Sequence, residues 1–312
     1  MNSNFKNNQT YNLITVLGPT ASGKTILAAH IAYHLNGEII SADSRQVYKK
    51  MNIGTGKDYE DYVVRDTAIP FHLIDLVDPG YIYNVYEFQC DFLKAFDNIR
   101  QRGKKPILCG GSGMYIEAVV KGYKLINVPV NKDLRKRLKS LSMKELTSML
   151  SSFKKLHNIS DTSIRKSLLR AIEIQTYYLE NPDIDFNYPE IKNLFIGVKY
   201  DRDSRRQRIT ERLKNRLDNR LVEEVESLLN EGVTPEQLIY YGLEYKYITL
   251  YIQNKLSCDE MFTKLNTAIH QFAKRQMTWF RRMERNGTKI HWLNGYMPLE
   301  DKVKEVLFLI KK

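Results

Sequence analysis

Cysteine is scarce in this chain: Cys90, Cys109 and Cys258 are three residues in 312, an odd number with no Cys-x-x-Cys spacing. That excludes a disulfide framework and offers no zinc-ligand pattern. Long apolar runs are missing too, since no stretch approaches the ~20 residues that cross a bilayer, so no membrane contact is expected. Residues 1–8 are polar and lack the apolar middle of a secretion signal, which gives a cytoplasmic expectation. Acidic residues are outnumbered, 36 Asp and Glu against 48 Lys and Arg, for a net charge of +12. Such an excess suits a polyanionic partner, although a general compositional bias produces it as readily. Where the charge lies decides between them. Hydrophobic content of 43% and charged content of 27% are ordinary for a soluble protein. The length allows one large α/β domain with an insertion or two modest domains.

What is present centres on Gly18-Pro19-Thr20-Ala21-Ser22-Gly23-Lys24-Thr25, the spacing G-x-x-x-x-G-K-[ST]. The run 13–17 before it is apolar and part β-branched, and Ile26, Leu27, Ala28, Ile31 and Leu35 after it recur at helical spacing. Strand, glycine loop and helix in that order make a phosphate-binding loop, with backbone N–H groups and the helix N-terminus facing the anion. Lys24 adds a point charge, and Thr25 is the candidate hydroxyl for a magnesium ion.

A second strand, 38–43, ends in Asp43, and ligands of parallel sheets bind at that edge. The plainer reading of Asp43 is a helix N-cap. A loop with Gly54 and Gly56 leads to a strand expected over 71–79, in which His72 reads as a core histidine. Val85, Phe88, Phe92, Phe96 and Ile99 predict a helix, and 105–109 is the next strand, entering a second glycine turn at 110–115. The alternation predicts an α/β fold: a mainly parallel sheet flanked by helices, of the P-loop NTPase-like kind.

From 123 to 193 strands cease, and helices over 132–141, 144–153 and 162–179 predict an inserted all-helical domain. The catalytic core is then 1–122 with 194–312. After a return strand at 194–198, a single long helix is expected from 203 to 230, with Arg208, Arg212 and Arg216 on one face able to clamp phosphates. A salt-bridged surface is the other reading. Over 269–285, Ile269, Phe272, Ala273, Met277, Phe280 and Met283 share one side, and Lys274, Arg275, Arg281, Arg282 and Arg285 the other. Trp279 lies at the border, placed to be half buried or to stack on a base. A five-charge face points to nucleic acid.

Two chemistries accommodate these parts. In a kinase the loop holds ATP and Asp43 takes the acceptor's proton. Alternatively diphosphate is the leaving group, and Asp43 accepts a proton from the attacking nucleophile.

The motifs GPTASGKT at 18–25, ADSRQVY at 42–48, NIGTGK at 52–57, HLID at 72–75, GGSGMY at 110–115, RAIEI at 170–174 and AKRQMTWFRR at 273–282 together resemble the bacterial tRNA dimethylallyltransferases, in that family's order. The resemblance implies transfer of a dimethylallyl group from dimethylallyl diphosphate to the N6 amine of the adenosine 3′ to the anticodon in tRNA. It implies Asp43 as base, the loop with Lys24, Thr25 and Mg2+ on the diphosphate, and Arg212 assisting. It carries contacts with the tRNA anticodon stem-loop to Asp43, Ser44, Arg45, Gln46, Ser112, Arg135, Lys166, Arg170, Lys274, Arg275, Gln276, Trp279 and Arg281, and to the stretch 239–244. A monomer is expected. Ser112 replaces the family's usual threonine, the stretches 157–161 and 240–246 depart from its pattern, and no Cys/His pair follows the last basic helix. A small-molecule kinase and a transferase acting on free adenylate remain the alternatives.

Overall fold

The computed structural model describes residues 11–153, 164–183 and 186–311. The altered stretch 157–161, the polar start 1–8 and the first residues of the helix expected from 162 lie outside the described residues. The chain forms two compact units, one of residues 1–123 with 190–312 and the other of 124–189.

In the larger unit, β1 (Leu13–Leu17), α1 (Lys24–Leu35) and β2 (Gly37–Ala42) follow one another as the apolar runs dictate. Strand β3 (Val63–Val64) pairs antiparallel with β4 (Thr67–Ala68), while β5 (Phe71–His72), β6 (Lys105–Gly110), β7 (Asn193–Lys199) and β8 (Ile290–Asn294) join the main sheet. That sheet has six strands in the order β5-β2-β6-β1-β7-β8, and every pairing in it is parallel. Buried on both faces, its strands read as nearly continuous apolar runs. Ile14 and Val16 point to one layer with Leu27 and Ile31 of α1 and with Val303 and Val306 of α12 (Leu299–Lys311). Leu13 and Leu17 point to the other, with Phe88, Phe92 and Phe96 of α2 (Val85–Gln101) and Ile116 of α3 (Gly113–Val120). Asn84 starts α2 with a capping box: its side chain accepts from Tyr86 and Glu87 N–H, and Glu87 Oε2 accepts from the Asn84 N–H at 3.1 Å.

In the smaller unit α4 (Lys132–Arg137), α5 (Met143–Phe153) and α6 (Arg165–Glu180) bury Leu134, Leu146, Leu150, Leu168 and Ile172 together. Arg165 ends α4 by donating to the carbonyls of Leu138, Lys139 and Leu141.

Two expected elements differ. The strand expected over 71–79 stops at His72, because Leu73 (φ 62°) and Asp75 (φ 56°) take left-handed conformations that turn the chain out of the sheet. His72 is half-buried rather than in the core, its Nε2 2.7 Å from Glu38 Oε2. The single helix expected over 203–230 is two, α7 (Arg202–Asp218) and α8 (Leu221–Asn230), broken where Arg220 has φ 68°. The break turns Leu221, Val225 and Leu228 into the core. After α9 (Pro235–Tyr241) and α10 (Leu243–Ile252) comes α11 (Cys258–Arg285), 28 residues long. No helix among the described residues is long and apolar enough to cross a membrane.

Candidate active site

The phosphate loop sits between β1 and α1 at the carboxyl edge of the sheet. Ala21 (φ 61°) and Gly23 (φ 77°) take the left-handed turns that fold it over the N-terminus of α1. Gly18 has no room for a side chain: a Cβ there would lie 2.6 Å from Ser22 Oγ and 2.9 Å from the Val198 carbonyl. The loop opens on a cavity of about 800 Å³. Its walls bring together residues 20–26, Asp43, Ser44, Arg45, Gln46, Ser112, Arg208, Arg212, Arg216 and Arg275, with Ile239, Leu243, Ile269 and Phe272 as an apolar portion. Segments far apart in the chain therefore converge, as the sequence motifs require of one site.

Lys24 lies in the cavity wall, and burial pushes its ammonium below the ordinary lysine range, with Arg212 and Arg216 pushing the same way and Asp43 opposing them. Beneath it Cys109, whose thiol burial pushes up to about 12, donates to the Lys24 carbonyl at 3.7 Å. That thiol is inert. Asp43 follows the last residue of β2 and accepts the Arg45 N–H at 2.9 Å, so its carboxylate stabilises a turn and no helix begins there.

Arg208 Nε donates to the Ala21 carbonyl at 3.0 Å, buckling α7 to the loop. Arg212 pairs with Asp58 at 2.9 Å and reaches Thr20 Oγ1 at 3.4 Å. The glycine loop 52–56 is held by one carboxylate: Glu224 of α8 accepts the N–H groups of Asn52, Ile53 and Gly54 at 2.7–3.0 Å and the Tyr245 hydroxyl at 2.7 Å. Sequence reasoning missed Glu224, Asp58 and Asp61. Glu224 reads as one more exposed position on an amphipathic helix, and the two aspartates follow a loop with no recognisable spacing. Asp61 lines the cavity, and burial with the charge of Asp58 pushes its carboxyl up to about 6.

Several residues expected to touch nucleic acid also have partners within the protein. Gln276 is buried; its Oε1 accepts the Thr20 N–H at 2.9 Å and its Nε2 donates to the Gly111 carbonyl at 3.0 Å, tying the two glycine turns together. Gln46 accepts from Ser41 Oγ and donates to the Gly56 carbonyl, both at 2.9 Å. Trp279 packs on Gly113 with Arg282 3.8 Å over its ring, and Arg282 is bridged to Glu117 at 2.8 Å. Arg282 thus covers one face of the ring and is bridged within the protein. Arg135 and Arg170 in the smaller unit both grip the buried carboxylate of Glu173, and Arg170 also donates to the Val128 carbonyl. Ser112 Oγ accepts the Ser44 N–H at 3.2 Å, and Arg45 caps the Tyr240 carbonyl at 2.9 Å. Lys166, Lys274, Arg275, Arg281 and Arg285 are exposed.

Among the cavity's oxygen donors, the Thr25 hydroxyl and the Asp61 carboxylate suit Mg2+, which takes one or two carboxylates and substrate phosphates. Among the described residues no group of three His, Cys, Asp or Glu is assembled to hold a metal without such a substrate.

A parallel sheet, a phosphate loop at its carboxyl edge and arginines facing that loop define an α/β enzyme that binds a phosphorylated substrate. Comparison with known proteins makes this specific. Residues 46–283 match the family described as IPP transferase. A Bacteroides fragilis protein named tRNA dimethylallyltransferase 2 is 57% identical over 302 residues, covering 97% of this chain and 99% of that one. Among solved structures, the tRNA delta(2)-isopentenylpyrophosphate transferase of Staphylococcus epidermidis is 34% identical with a TM-score of 0.68, covering 96% of this chain and 98% of its own. The Bacillus halodurans tRNA isopentenylpyrophosphate transferase is 29% identical with a TM-score of 0.71, covering 96% and 95%. The chain belongs to the IPP transferase family.

Proposed function

We propose that this protein transfers a dimethylallyl group from dimethylallyl diphosphate to the N6 amine of the adenosine 3′ to the anticodon in tRNA, releasing diphosphate. The observation that carries the reading is one cavity holding both a phosphate loop with Lys24 and Arg212 and the Asp43 carboxylate. Family membership and relatives named for this reaction support it.

The bond from the dimethylallyl carbon to the diphosphate oxygen breaks as the adenine nitrogen forms its new bond to that carbon. Asp43 takes the proton that the amine loses. Lys24, Arg212 and the backbone N–H groups of residues 21–25 meet the charge developing on the departing diphosphate. Thr25 would hold Mg2+, which would supply further positive charge to that leaving group. Gln276 acts by fixing the loop through the Thr20 N–H. The apolar portion of the cavity suits the dimethylallyl chain, and water is excluded around it. An adenine inside a stacked loop is out of reach, so it swings out into the cavity. The exposed cations Lys274, Arg275, Arg281 and Arg285 contact the anticodon stem-loop, and the helical unit, with Lys166 exposed, binds tRNA as well. The enzyme works as a cytoplasmic monomer.

Purified protein is to be incubated with labelled dimethylallyl diphosphate, magnesium and unmodified tRNA, beside reactions with AMP as acceptor and with ATP as donor. Label in the tRNA supports the proposal. Label in AMP, or phosphate transfer from ATP without prenylation, overturns it in favour of the free-nucleotide enzyme or the kinase.

A further inference from the structure

Arg208, Arg212 and Arg216 rise along one face of α7, and two of them have partners. Arg208 is bonded to the Ala21 carbonyl and Arg212 to Asp58 and Thr20. Arg216 is more enclosed than Arg212, with 14% of its side chain exposed, yet its guanidinium makes no hydrogen bond among the described residues. Its two acidic neighbours, Asp58 and Glu244, each stand 3.9 Å away, beyond hydrogen-bond reach. Nη2 is buried and unpartnered. A guanidinium carries five donors in a planar fork, and burying even one of them without a partner costs free energy that a ligand completing the fork would recover.

The surroundings say what that ligand is. Arg216 lines the same cavity as the phosphate loop, and its charge is felt at Lys24. Gly56, at φ 70°, lets the two arginines close on it: a Cβ there would collide with both the Arg212 and the Arg216 guanidinium. The two forks therefore lie side by side in the lining of that cavity. Fork geometry matches phosphate oxygens bidentately.

We infer that Arg216 is a second arginine ligand of the substrate diphosphate, beside Arg212, and forms its hydrogen bonds only when the diphosphate is seated. The inference rests on the prenyl-transfer reading for the identity of the substrate, but its chemistry, a diphosphate gripped by two arginines beside the loop, does not depend on the acceptor. Asp58 and Glu244, each 3.9 Å away, keep the fork positioned by their charge.

The test measures affinity for inorganic diphosphate by calorimetry in magnesium buffer, for wild type, Arg216→Lys and Arg216→Met, alongside KM for dimethylallyl diphosphate, KM for tRNA and the melting temperature. The expected order is wild type, then Lys, then Met, with the Met variant weakened about ten- to hundredfold, the worth of one charge-assisted pair. KM for dimethylallyl diphosphate follows the same order and KM for tRNA stays put. Should the Met variant fail to fold, the Lys variant decides, since it keeps the charge and loses only the fork. Wild-type diphosphate affinity in a folded variant, or a fall in melting temperature with affinity unchanged, assigns Arg216 to the fold and overturns the inference. If wild type transfers no prenyl group while diphosphate affinity still follows residue 216, the reaction proposed above fails and this site stands.

Discussion

Asp43 carries the proposed proton transfer, and its position explains why a small change there is decisive. It lies one residue past β2, so the sheet fixes its backbone while its carboxylate faces the cavity with Lys24. Asp43→Asn keeps the shape and removes the base; turnover falls by about 10²–10⁴-fold with diphosphate affinity held, read by single-turnover transfer and calorimetry. Near-normal turnover would remove Asp43 from that role. Glu38 shows the same logic for stability. Its buried carboxylate accepts both Arg102 Nη groups and lies against His72, and the Arg102 hydrogen bonds hold its carboxyl below the usual glutamate range. A carboxyl depressed in the folded state contributes stability that is present above its unfolded value of about 4.3 and is lost as pH falls through the folded one. Wild type therefore loses stability more steeply below about pH 4 than Glu38→Gln does, in urea titrations across pH. Asp43 was legible because it ends an apolar run, whereas Arg216 was not separable from surface charge until its burial was known, nor Asp58 until its pairing with Arg212 was.

At the level of elements, α11 does two jobs. Its buried side, Ile269, Ala273, Met277, Phe280 and Met283, was legible from spacing, apart from Phe272, which spacing put with them and which is exposed at the cavity. Its polar side was only half legible, since spacing cannot tell an arginine in water from one bridged to a partner distant in sequence. Glu117 lies on α3, 165 residues before Arg282, and no local pattern foretells that bridge. The two kinds of arginine give opposite outcomes. Replacing Arg281 and Arg285 by Ala weakens tRNA binding and lowers the slope of affinity against salt by about one for each phosphate left without its cation, with melting unchanged. Arg282→Ala instead destabilises the protein, because Glu117 loses a partner and Trp279 its cover. Filter binding at several salt concentrations and thermal melts separate the two, and a reversal of these effects would contradict the assignment. The break between α7 and α8 was invisible for a related reason. Helical charge spacing continues straight through Arg220, and only the tertiary pull of Leu221 and Glu224 forces the turn.

For the whole molecule, the consequence is that the fold is held ready around an anion. Three cations, Lys24, Arg212 and Arg216, face one cavity, and the other two add to the burial that lowers Lys24. Seating a diphosphate relieves that repulsion. Inorganic diphosphate at about one hundred times its dissociation constant is expected to stabilise the protein by about 2.7 kcal/mol, seen as a rise in melting temperature. No rise at saturation would mean that the cavity does not bind diphosphate. The parallel sheet and the helical unit were legible because strand and helix periodicities change where the architecture changes. The unit boundaries at 123 and 190 were less so, because residues 124–131 and 186–192 carry little periodicity of either kind.

The central claim is that the phosphate loop serves prenyl transfer to a tRNA adenine. Its most direct test is to treat tRNA with the protein and labelled dimethylallyl diphosphate, digest it to nucleosides, and locate the label. The account predicts label on N6 of the adenosine 3′ to the anticodon, absent when that adenosine is replaced by guanosine. Label elsewhere in the tRNA, or none, contradicts it.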